Sequence, residues 1–204
     1  MACLESLEEE EMDLPVRMND GERDLFVRTL AKATHYMEFG SGGSTLLAVR
    51  SPAKVILTIE SDPAWLDKIR AHPEIAAAAA AQRLFLTHAD IGPVGEWGRP
   101  ADETRRADWP RYYADPFFAT DILFDLILID GRFRVASALA AAACAAESAT
   151  IVIHDYELRP QYYLVEKFFD IEDSCESLYV LRRRKTINIR SFYMEVMRHL
   201  FEHG

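Results

Sequence analysis

No stretch of this 204-residue sequence approaches the ~18 consecutive apolar residues that a bilayer-crossing helix needs, so no membrane span is expected. Positive charge is also scarce: 23 basic residues stand against 33 acidic ones, a net charge of −10. Gripping DNA or RNA by its phosphates takes a cationic face, so a nucleic-acid partner is not expected. Cysteine is sparse. Cys3, Cys144 and Cys175 are odd in number and widely spaced, with neither zinc spacing nor a disulfide framework. That pattern fits a reducing, cytoplasmic setting. The first residues are acidic, unlike a secretory leader. No internal repeat is visible.

What is there reads as one folded domain. Half the residues are hydrophobic, and the length suits a single sizeable core. Glu5, Glu8, Glu9, Glu10, Glu11 and Asp13 make residues 1–14 an expected mobile, solvated tail ahead of one domain over 15–204. Asn19 followed by Glu22 marks a capped helix start, with Leu25, Phe26, Leu30 and Ala31 at helical spacing. Strands are expected at about 36–39, 54–60, 83–87, 124–130 and 150–153, with a final pair near 171–173 and 178–182. Helices are expected after Asp62-Pro63, over about 133–147, over 161–169, and within 185–204. The last has Phe192, Val196, Met197 and Leu200 on one side, and either caps the sheet or pairs two subunits into a homodimer. Residues 91–120 hold Pro93, Gly95, Gly98, Pro100, Pro110 and Pro116, and read as a long binding loop or lid walled by Trp97, Trp109, Tyr112 and Tyr113. Alternating strands and helices call for an α/β fold: a three-layer α/β/α, Rossmann-like sandwich on a mostly parallel seven-stranded sheet.

In such sheets ligands sit beyond the carboxyl ends of the strands. Glu38, Glu60, Asp90, Asp130, His154 and Asp155 all fall at or just past those ends. The first strand breaks into Gly40-Ser41-Gly42-Gly43-Ser44-Thr45, a glycine turn into a helix start where backbone N–H groups meet a ligand. A dinucleotide fingerprint would need a third glycine where Thr45 stands, and Glu38 is unhelpful to a pyrophosphate, so an NAD(P)-dependent oxidoreductase is the weaker reading. Glu60 is placed to accept both hydroxyls of a ribose, followed by Ser61, while Asp90 could accept from an adenine amine with Ile91 on the ring face.

Glu38-Phe39-Gly40-Ser41-Gly42 resembles the first motif of class I S-adenosylmethionine-dependent methyltransferases. Glu60, Asp90 and the segment 124–130 resemble their later acids and fourth strand. Ile129-Asp130-Gly131-Arg132-Phe133-Arg134 and Ile153-His154-Asp155-Tyr156 are similar to a group of small bacterial methyltransferase-like proteins. The resemblance covers about residues 20–184 and implies S-adenosylmethionine as cofactor, a small-molecule methyl acceptor and a reversed terminal strand. It also implies that Glu38 orients the glycine loop or meets the cofactor's ammonium group, and that Ser44 and Thr45 donate to its carboxylate. A cofactor-binding member without catalysis is the alternative within the same fold.

Methylation at oxygen requires alignment and removal of a proton. His154 is expected as general base, since an ordinary histidine titrates near neutrality, with Asp130 and Asp155 beside it. The two carboxylates could instead hold Mg2+. Arg132 and Arg134 either recognise an anionic or hydroxyl-rich substrate or pair with acids at the helix start.

Overall fold

A computed structural model describes residues 14–202. The expected helix start at Asn19 forms as a reciprocal box: the Asn19 side chain accepts from the Glu22 backbone N–H (2.9 Å), and the Glu22 carboxylate accepts from the Asn19 N–H (3.0 Å). It opens α1 (Asp20–Leu30), which leads into β1 (His35–Phe39), α2 (Gly43–Arg50) and β2 (Val55–Glu60). Asp62 caps α3 (Pro63–Arg70), accepting from Ala64 and Trp65 N–H, and Pro63 sits at its first helical position. A helix absent from the sequence reading, α4 (Pro73–Ala80), follows. His72 and Pro73 restart the helix there, and its alanine run carries no amphipathic stripe to announce it.

The chain continues through β3 (Leu84–His88), the short helices α5 (Pro110–Tyr113) and α6 (Asp115–Phe118), β4 (Leu126–Ile129), α7 (Arg134–Cys144) and β5 (Thr150–Ile153). It ends with β6 (Phe169–Cys175), β7 (Leu178–Arg183) and α8 (Ile189–His199). The helix expected over 161–169 forms as a 3-10 helix, Pro160–Lys167. β4 is shorter than expected because Asp125 is diverted: its carboxylate accepts the N–H groups of Thr34 and His35 at 3.0–3.1 Å and pins the entry to β1.

The seven strands lie in the order β3-β2-β1-β4-β5-β7-β6, parallel except for β7, which runs antiparallel to both neighbours. The reversed strand and the three layers are as expected. Side chains alternate across the sheet. Met37, Phe39, Ile127, Ile129, Ile151 and Ile153 enter one core, and Tyr36, Ile56, Leu126, Leu128 and Val152 the other. Central strands covered on both faces explain the nearly continuous apolar run at β4. The glycine loop lies where β1 meets β2 and β4, the point at which the strand order reverses and a ligand crevice opens.

Candidate functional site

Glu38 is fully buried on β1, beneath the glycine loop. Its carboxylate accepts four hydroxyl hydrogen bonds, from Tyr36 (2.9 Å), Ser44 (2.8 Å), Thr45 (2.6 Å) and Thr58 (2.7 Å). Burial pushes its pKa up to about 7 despite those four donors. Thr45 Oγ1 also accepts from the Gly42 N–H (3.0 Å), so the carboxylate, the hydroxyl and the loop backbone form one chain. Of the two roles expected for Glu38, the geometry supports orienting the loop. The hydroxyls of Ser44 and Thr45 are donated inward to Glu38, and Thr45 is fully buried. Gly40 is required on two counts. Its φ is +92°, and a Cβ there would lie 2.8 Å from the Gly131 backbone.

Glu60 closes β2 and anchors the far side of the loop. One oxygen accepts Ser41 N–H (3.1 Å) and Oγ (2.8 Å), and the other accepts the N–H groups of Ser61 (2.7 Å) and Asp62 (2.9 Å). Ser61 donates its hydroxyl to the carbonyl of Gly98 (3.0 Å), which brings the short helical turn Glu96–Gly98 over β2. Asp90 and Ile91 are not brought to this place. Asp90 is exposed, pairs with Arg105 (2.8 Å) and accepts the Gly92 N–H (3.1 Å), a loop-shaping role. Ile91 is buried in the core.

His154 follows β5 and is 6% exposed. One ring nitrogen meets Asp130 Oδ1 (3.0 Å) and the other meets Glu22 Oε2 (3.4 Å). Burial works against its charge, but the hydrogen bond and charge of Asp130, with Asp155 and Glu22, outweigh it and hold its pKa above the ordinary histidine value. With both ring nitrogens engaged by carboxylates, His154 turns no free nitrogen to the cavity, and the geometry favours a positioning role over the expected general base. Glu22, read from the sequence only as a cap, is what completes this arrangement; it also accepts from Ser177.

Arg134, only 4% exposed, reaches Asp130 (3.3 Å) and Asp155 (3.1 Å) and donates to the carbonyls of Gly131, Asp130 and His154. Burial raises the Asp155 carboxyl, yet Arg134, His154 and Arg159 more than offset this and hold it below the usual range. Asp130, His154 and Asp155 could place ligand atoms within 4.8 Å of one another. The cluster still does not suit Mg2+. The guanidinium already bridges both carboxylates, and the His154 ring nitrogen is engaged with Asp130.

These elements enclose a cavity of about 620 Å3. Gly40 to Ser44, Glu60, Ser61, Asp130, His154 and Asp155 line it, as the strand-end pattern suggested. Several lining residues carried no legible signal: the strap Leu14–Met18, Trp65, Arg99 and Arg159. Leu14, assigned to the expected tail, is buried, and the remainder of that tail lies outside the described residues. The strap presses on the start of α2, where a Cβ on Gly43 would lie 2.6 Å from Val16 N. Of the four aromatics expected to wall the pocket, Trp97 and Tyr112 do so, while Trp109 and Tyr113 pack on Phe133 in the core. Trp97 and Asp155 hold positive φ angles of 62° and 56°, a cost that folds concentrate at sites.

No protein-family model matches the sequence, and no curated protein does. Among solved structures, the chain is similar to a methyltransferase-like protein from Silicibacter pomeroyi, with 27% identity and a TM-score of 0.83 over 94% of this chain and 99% of that one. It is also similar to a methyltransferase from Geobacter sulfurreducens (13% identity, TM-score 0.53, 83% and 81% covered). A ribosomal protein L11 methylase from Lactobacillus delbrueckii subsp. bulgaricus resembles it to the same degree (16% identity, TM-score 0.52, 80% and 77% covered). The last two likenesses concern the fold alone. The chain has the fold of the class I S-adenosylmethionine-dependent methyltransferase superfamily. Within it, the likeness over nearly the full length of both chains is to the Silicibacter methyltransferase-like protein.

Proposed function

We propose that this chain is an S-adenosylmethionine-dependent methyltransferase acting on a small molecule at oxygen. The observation that carries this reading is one continuous cavity from Glu60 and the glycine loop to Asp130, of a size suited to a small ligand and its cofactor. The residues present fit the cofactor: a glycine turn whose backbone a ligand can approach, a carboxylate with two oxygens at the end of β2, and Trp65 alongside. Bound there, S-adenosylmethionine supplies a methyl group on an activated carbon, so the protein's work is mainly alignment, worth about 7–11 kcal/mol in well-oriented systems. Glu60 would hold the ribose hydroxyls of the cofactor. Asp130 takes the acceptor's proton: among the described residues only its Oδ1 is engaged in hydrogen bonds, and the cavity reaches its side chain. His154 and Arg134 hold that carboxylate in place as positioning residues.

A small acceptor is favoured over a nucleic acid by the net charge of −10. A second reading, cofactor binding without catalysis, draws on the saturation of His154 by two carboxylates. Calorimetric titration with S-adenosylmethionine, S-adenosylhomocysteine and NAD tests the cofactor, and release of S-adenosylhomocysteine in the presence of hydroxylated acceptors tests turnover. Binding of neither sulfur ligand would overturn both readings. Binding without turnover across a broad acceptor panel would favour the second.

A further inference from the structure

Two of the arginines that line the cavity of this strongly acidic protein are left without acids. Arg134 and Arg159 are paired with Asp130 and Asp155. Arg99 and Arg132, which line the same space, form no ion pair among the described residues. Arg132 leaves the end of β4 just after Asp130 and Gly131, and its backbone N–H is fixed by the Tyr112 hydroxyl (3.3 Å). Its side-chain Nε is buried with no hydrogen-bond partner among the described residues. Arg99 follows Gly98, whose carbonyl accepts from Ser61, and lines the same cavity. Burial, then Arg134, then Arg99 press the Arg132 pKa below its ordinary value, so the guanidinium groups are near enough to repel one another. A buried, unbonded guanidinium nitrogen facing like charge is unfavourable unless something negative completes it.

We propose that the methyl acceptor carries an oxyanion, a carboxylate or a phosphate, and that Arg132 and Arg99 together hold it in the cavity. Planar guanidinium groups suit such oxyanions through paired N–H donors. Arg132 then places the acceptor's oxyanion one turn of chain from Asp130, so that the same short segment that removes the proton also anchors the substrate. Arg17, stacked over Trp97 at 4.7 Å, adds positive charge at the rim and favours entry of an anion. The proposal rests on the methyltransferase reading for the word acceptor; the anion site itself stands on the arginines. The rival occupant is the cofactor's own amino-acid carboxylate.

The test uses the full chain, saturated with S-adenosylhomocysteine, titrated with inorganic phosphate and with malonate against sodium chloride at matched ionic strength. Thermal unfolding and calorimetry should both register binding that chloride does not give. Arg132→Met should abolish it, and Arg99→Met and Arg132→Lys should each weaken it about tenfold, because a lysine cannot make the two-pronged contact. S-adenosylhomocysteine affinity should stay within about threefold in every variant, less than the loss of one charged hydrogen bond. Arg99 is exposed at the rim, so its variant keeps the test decisive if Arg132→Met fails to fold. Phosphate and malonate acting no differently from chloride, or binding equally well to all variants, would overturn the proposal. Competition between these anions and S-adenosylhomocysteine would also overturn it, assigning the arginines to the cofactor. Failure of S-adenosylhomocysteine to bind at all would sink the methyltransferase reading, while anion titration of the unloaded chain would still decide the arginine site.

Discussion

Glu38 and Asp130 stand at the ends of adjacent parallel strands, β1 and β4, and are accommodated by opposite means. Glu38 is enclosed by four hydroxyls and no cation, and burial lifts its pKa to about 7. Asp130, with Asp155, meets the Arg134 guanidinium and the His154 ring. Neutral dipoles give direction without fixing charge, so the Glu38 cage is a clamp on the glycine loop. Cations fix charge and occupy the volume a metal would take, so the second cluster is an electrostatic frame that leaves one edge of Asp130 to the cavity. Buried acids at strand ends therefore have two distinct meanings in this one sheet, and only the partners tell them apart.

The largest effect is expected of Glu38→Ala. Four buried hydroxyls would lose their acceptor, and we expect a loss of about 3–5 kcal/mol in urea unfolding, among the largest single-site effects. A loss below about 1 kcal/mol, the worth of one ordinary hydrogen bond, would mean the cage is incidental. His154→Ala should come next, at about 3 kcal/mol, because it leaves Glu22 and Asp130 without their shared partner. His154→Gln, which keeps one donor, should recover part of it. Full retention of stability in both would restore His154 as a candidate base.

The two clusters should also separate by pH. Glu38 has a folded pKa above its unfolded value, so the stability it contributes is present below about 4.5 and is lost as pH rises toward about 7. Its loss across that window should be on the order of 3 kcal/mol, and Glu38→Gln should flatten the curve of unfolding midpoint against pH there. His154, also raised, contributes in the same sense: its share is present below about 6.5 and lost as pH rises through its higher folded value. Asp155 is depressed, so its contribution is present above about 3.8 and lost only as pH falls below that. An unchanged slope in Glu38→Gln would contradict the cage's titration. The smallest effect belongs to Asp90→Asn, which should change S-adenosylhomocysteine affinity by less than about twofold, below the loss of one neutral hydrogen bond. A larger drop in calorimetry would return Asp90 to the cofactor.

Legibility in the sequence followed how local the cause was. The Asn19–Glu22 box, the Asp62-Pro63 start and all seven strands follow from spacing within a few residues, and they formed close to where expected. Strand ends also announced Glu38, Glu60, Asp130 and His154, because a parallel sheet sends those ends to one edge. The roles did not follow. His154 reads as a base until Glu22, 132 residues away, occupies its second nitrogen. Asp90 reads as an adenine ligand until Arg105 takes both its oxygens. Arg132 and Arg134 are two positions apart and both line the cavity, yet Arg134 is held by carboxylates and carbonyls, while the Arg132 Nε has no partner among the described residues.

By itself, then, the sequence determined the α/β frame, the glycine turn and the row of acids at its edge, because periodicity and turn chemistry act over a few residues. Only the tertiary structure decided which acids are satisfied by hydroxyls, which by cations, and which arginines are left open. Charge and hydrogen-bond partners are chosen by proximity across the fold, and no spacing along the chain encodes that.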